Sequence, residues 1–145
     1  MKKQPNASLL NKSVSNVALH QLVDKLIVGL LPATVSRKSF IVNDVPPQVT
    51  VHTNEDMLSL ILSTLLTRAV TSTQSQCVRV DADEAGDCTV IKLKDSTGSF
   101  YSAVCHSLKQ EQLMAEKIGG FISINQHSNG DIIICFRFGK QANAA

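Results

Sequence analysis

The run Asn54–Thr73, NEDMLSLILSTLLTRAVTST, decides the fold. Leu58, Ile61, Leu62, Leu65, Leu66 and Ala69 recur at steps of three and four, the spacing that stacks side chains on one face of a helix, and Leu60 and Val70 widen the stripe. Such a stripe predicts one long helix laid on a sheet. Thr64 and Arg68 stand four residues apart on its other side, one turn above the other, so they meet the same surroundings.

Working outward, the flanks supply the sheet. Upstream, Asn16 is the expected N-cap of an amphipathic helix carrying Leu19, Leu22, Val23, Leu26, Ile27 and Leu30, which Pro32 is expected to stop. Ser39–Asn43 and Val49–His52 read as two strands joined through Pro46-Pro47. Downstream, Gln76–Ala82 and Cys88–Asp95 form a second pair around a turn containing Gly86. Leu108–Ile118 reads as a third helix ended by Gly119-Gly120. Phe121–Asn125 and Ile132–Phe138 close the chain, with Ile132, Ile134, Phe136 and Phe138 alternating onto one face. The fold class is therefore α+β: a two-layer sandwich with a mixed, mostly antiparallel sheet and three helices on one face. One domain is expected over 16–139, between polar tails at 1–15 and 140–145.

Composition narrows the function. The chain of 145 residues is 43% apolar but 4% aromatic and has no Trp, so its core rests on Leu, Ile and Val. A net charge of +2, with Lys2, Lys3 and Lys12 in the leader, leaves no basic stripe for nucleic acid. Cys77, Cys88, Cys105 and Cys135 include no close-spaced pair for zinc or redox chemistry and are expected as reduced packing residues in a cytoplasmic protein. The N-terminus is too polar for a secretory signal, and Leu26–Leu31 is too short to span a bilayer. His20, His52, His106 and His127 form no pair with metal-site spacing.

The best place for a ligand is the end of the Cys88–Asp95 strand. Its odd positions are the more apolar, which puts Asp95 on the helix side where the strand gives way to the small-residue loop Ser96-Thr97-Gly98-Ser99. An Asx-turn at a surface loop is the ordinary alternative for such an acid.

LSLILSTLLTRAV resembles the helix motif of the histidine kinase-like ATPases (the GHKL, or Bergerat-fold, superfamily), and KDSTGSF resembles their D-x-G-x-G box. AEKIGGFISINQHSNGDIIICFRF is similar to their last helix and closing hairpin, and FIVNDVPPQVTVHTNEDM to the hairpin entering the first motif. The resemblance runs from about Val17 to Phe138 in unbroken order. It implies a nucleotide pocket bounded by Thr64, Arg68, Asp95 and Gly98, with Asp95 at the acid that reads adenine.

The departures are specific. Thr64 and Arg68 replace the two Asn of the helix motif, the second of which holds magnesium in the family. A guanidinium has donors only and stays protonated, so it cannot ligate a cation. Thr97 and Ser99 replace both glycines, and the long lid with its phosphate loop is reduced to Tyr101–Ser107. The resemblance thus implies a vestigial pocket with no catalytic or metal-binding residue and no cofactor, in a signalling interaction or regulatory module, possible as a homodimer. Within it Arg68 either pairs internally with Asp95 or is solvated. Two other readings stay open: a divergent sensor histidine kinase domain that binds ATP and Mg2+ through Asp95 and Arg68, and a phosphotransfer protein using His20, the one histidine on an expected helix.

Overall fold

The computed structural model describes residues 14–71, 75, 77–86, 88–95, 108–126 and 132–139. In chain order they form β1 (Val14–Ala18), α1 (Leu19–Gly29), α2 (Leu31–Arg37), β2 (Phe40–Asn43), β3 (Thr50–Asn54), α3 (Glu55–Thr71), β4 (Cys77–Ala85), β5 (Cys88–Asp95), α4 (Lys109–Lys117), β6 (Gly120–Gln126) and β7 (Ile132–Gly139). Five strands make the main sheet in the order β2-β4-β5-β7-β6. β2 runs parallel to β4 and the other neighbours are antiparallel. The expected α+β class holds.

Alternation within the strands sets the two layers. Val78, Val80 and Ala82 of β4, Ile91 and Leu93 of β5, Ile122 of β6 and Ile134, Phe136 and Phe138 of β7 are buried on one face. Arg79, Asp83, Lys94 and Arg137 lie exposed on the other. α3 contributes Leu58, Ile61, Leu62, Leu65, Leu66, Ala69 and Val70 to the same core, each at most 1% exposed. Burial on that scale makes each leucine worth about 3 kcal/mol against truncation to Ala. The backbone N–H of Met57 donates to Asn54 Oδ1 at 3.0 Å, which caps the helix start, and Glu55 and Asp56 in its first turn oppose the positive end of the dipole. Leu60 departs from the expected stripe: it is 51% exposed, because it lies four residues before Thr64, on the polar side.

The start of the chain differs more. Asn16 caps no helix; it sits in β1, which pairs antiparallel with β3, and its Oδ1 meets His52 Nδ1 at 2.9 Å. α1 begins at Leu19 without a side-chain cap. α1 ends at Gly29, ahead of Pro32 as expected, but Pro32 also stands in the first turn of a further short helix, α2, since the first turn of a helix needs no N–H from it and its fixed φ is already helical. β2 and β3 are not a hairpin either: they belong to different sheets, and Val45 and Val49 of the connector are buried while Pro46 is half-buried and Pro47 exposed. The described residues therefore hold four helices and seven strands where three and six were expected.

The other turns follow their residues. Gly86 takes φ 61° in the β4–β5 hairpin, and Gly119 takes φ 78° after α4. Gly120 is required for space: a Cβ there would come within 2.6 Å of Phe136 Cε1 and 3.1 Å of Phe138 Cε2. The thiols of Cys77, Cys88 and Cys135 are free, and Cys135 is buried; Cys105 lies outside the described residues.

Candidate functional site

Helical periodicity puts Arg68 one turn beyond Thr64, at the border between the buried stripe of α3 and its polar side. From there its Nη2 donates to Oε2 of Glu111 on α4 at 3.0 Å. The arginine side chain is 28% exposed and the glutamate 2%. Glu111 lies in the first turn of α4, where a carboxylate is favoured by the helix dipole, and that helix starts without a side-chain cap. Its second oxygen, Oε1, is buried with no hydrogen-bond partner among the described residues. The two helices therefore meet across a charged pair that is mostly withdrawn from water. Breaking such a pair from one side strands a buried charge, at a cost of several kcal/mol.

Thr64 makes no contribution to that seam through its hydroxyl, which donates to Leu60 O of its own helix at 2.9 Å. Asp95 ends β5, with Val78 and Ile132 as its Cα partners on the two neighbouring strands. Thr89, Ile91 and Leu93 are buried as the odd-position reading requires, although Val90, at 8% exposure, is buried too. The side chain of Asp95, and residues 96–107 with Gly98 and His106 among them, fall outside the described residues, as does His127. Glu111, one partner of Arg68, is an acid that the sequence pattern did not bring forward. One signal could have found it: Glu111 sits three residues after Leu108 and four before Ala115, on the inner stripe of its helix, where an acid needs a cation.

The residues at this seam do not fit a divalent cation. Where the resemblance puts a metal-holding Asn the chain has a guanidinium engaged with a carboxylate, and among the described residues no three His, Cys, Asp or Glu side chains gather to hold an ion.

His20 stands in a second polar cluster. Its Nδ1 lies 2.7 Å from the carbonyl of Val45, which can only accept, so Nδ1 carries the proton. Nε2 is 3.5 Å from Asp24 Oδ2, and Asn43 Nδ2 donates to both Asp24 Oδ1 and His20 O. The cluster ties α1 to β2 and to the connector, at the other end of the chain order from Arg68 and Glu111.

No protein-family model matches the chain, and no curated protein matches it. Solved structures do match. Histidine kinase AdeS of Acinetobacter baumannii is similar at TM-score 0.71 and 10% identity, over 94% of this chain and 74% of that one. The cytoplasmic segment of histidine kinase QseC gives 0.66 and 17%, over 97% and 85%. Histidine kinase ThkA, in its complex with response regulator protein TrrA, gives 0.72 and 12%, over 88% of this chain and 42% of the kinase. At such identities the likeness is one of fold: the chain has the histidine kinase-like ATPase fold. Among the described residues no helix is long and apolar enough to cross a membrane.

Proposed function

We propose that the chain is a degenerate histidine kinase-like ATPase domain, working as an interaction or regulatory module in two-component type signalling, without ATP hydrolysis or kinase activity. The carrying observation is the Arg68–Glu111 pair, at 3.0 Å with a carboxylate 2% exposed. A magnesium–polyphosphate group brings a cation that Arg68 repels and anions that Glu111 repels. For Arg68 to turn wholly to a phosphate it would abandon Glu111, leaving a buried, uncompensated carboxylate at several kcal/mol. The replacement of both glycines by Thr97 and Ser99 and the short stretch between Phe100 and Leu108 favour the same reading.

The partner this reading calls for is a protein of the same signalling type. ThkA, which shares the fold, is matched in a complex with a response regulator, and QseC is matched through a cytoplasmic segment, so we place the module in the cytoplasm beside such a partner. Titration calorimetry of the full chain with ATP and Mg2+ tests the proposal. The expected result is no saturable heat up to millimolar nucleotide. Saturable, magnesium-dependent binding would instead identify the catalytic domain of a divergent kinase. Phosphotransfer to the chain from a phosphorylated response regulator, lost on His20→Ala, would identify a phosphotransfer protein.

A further inference from the structure

The main sheet has two ends. One is β2, four residues long and followed at once by Asp44, whose Oδ2 accepts from Arg79 Nη1 at 2.8 Å. The other is β6, seven residues long, GFISINQ, with neither a charge nor a proline. A sheet edge of that length and composition is the kind that pairs with another strand. Among the described residues β6 is bonded to a strand, β7, on one side only.

The other side is occupied at its centre by a side chain. Gln112 Nε2 donates to Ile122 O at 2.7 Å, and the N–H of Ile122 donates to Gln112 Oε1 at 2.8 Å. A carboxamide offers one donor and one acceptor on the same plane, the pair that a backbone peptide of an added strand would offer. Because both main-chain groups of Ile122 point to Gln112, neither enters the ladder with Phe136, its register partner on β7. Antiparallel alternation then turns the main-chain groups of Gly120 and Ile124 outward as well. We propose that Gln112 is a strand mimic that closes the β6 edge, and that the occupant it excludes is β6 of a second copy of this chain. The uncharged edge suits its own copy, since no like charges would face each other across an antiparallel pair.

The wild-type chain gives the first test by amide hydrogen exchange. The Ile122 amide is expected to exchange about fivefold more slowly than that of Ile124, the factor that one hydrogen bond of ordinary net strength represents; equal rates would overturn the proposal. The second test is size-exclusion chromatography with light scattering at rising concentration. Gln112→Ala is expected to at least double the apparent mass where the wild type stays constant. Gln112→Glu, which keeps the acceptor and adds an edge charge, is expected to behave as the wild type, and Ser123→Lys added to Gln112→Ala is expected to restore the wild-type mass. A folded Gln112→Ala chain with unchanged mass would overturn the proposal. So would association that Ser123→Lys leaves intact, since that marks loss of folding and not an opened edge.

Discussion

The seam between α3 and α4 and the outer face of the sheet each carry ion pairs, and they differ in burial more than in distance. Arg68 and Glu111 meet at 3.0 Å with the acid 2% exposed. Lys92 and Asp83 meet at 2.7 Å on the outer face, at 39% and 55% exposure, and Arg79 and Asp44 at 2.8 Å, at 55% and 45%. The shortest pair is therefore among the most hydrated. Water screens the outer pairs and offers either partner an alternative, whereas Glu111 has no described alternative to Arg68. The lesson is that the inner pair ties two helices together out of water, while the outer pairs decorate a surface.

The sharpest way to break this contrast is to remove one inner partner. Arg68→Ala is expected to lower unfolding stability by about 2–3 kcal/mol at neutral pH, toward the low side of the range for buried pairs because the arginine is partly exposed. Replacing both partners, as Arg68→Met with Glu111→Leu, is expected to recover stability to within about 1 kcal/mol of the wild type, since no stranded charge remains. Urea denaturation of the two variants checks both statements. A double variant no better than Arg68→Ala would mean that the pair matters through shape and not charge. Next in size is Gly120→Ala, which drives a methyl toward the Phe136 and Phe138 rings on the inner face; a loss of about 1–3 kcal/mol is expected in the same assay.

The outer face should respond much less. Lys92→Ala is expected to change stability by no more than about 0.5 kcal/mol. Smallest is a pH effect. The hydrogen bond that Lys92 Nζ donates to Asp83 raises the Lys92 pKa above its ordinary 10.5, against a smaller desolvation that lowers it. A raised folded-state pKa stabilises while the lysine is charged, so the contribution is complete below pH 10.5 and fades as pH rises through the folded value. The difference in stability between wild type and Lys92→Ala should accordingly shrink on going to strongly alkaline pH, and a difference that grows there would contradict the assignment.

Much of the inner layer was legible in the sequence because periodicity reports burial. The α3 stripe, the alternation of Ile134, Phe136 and Phe138, and the left-handed Gly119 each follow from a local rule. The start of the chain was not legible in that way. Val14–Ala18 pairs with a strand more than thirty residues away, and nothing local marks such a partner. Pro32 marked the end of α1, but the same residue opens α2, and the neighbouring sequence did not signal that second helix. At the candidate site Arg68 was visible as a departure from a motif, but its partner lay on a helix 43 residues on. Only the inward spacing of Glu111 with Leu108 and Ala115 signalled it. Gln112 carried no signal, because an amide beside an edge strand is a matter of three-dimensional reach.

The proposal to be tested is that in this histidine kinase-like ATPase fold the internal Arg68–Glu111 pair stands in place of a bound nucleotide. Crystals of the full chain grown with magnesium and a non-hydrolysable ATP analogue test it most directly. The account predicts Arg68 and Glu111 still within hydrogen-bond distance and no nucleotide between α3 and β5. A nucleotide seated against α3, with a metal ion bridging its phosphates, would contradict it.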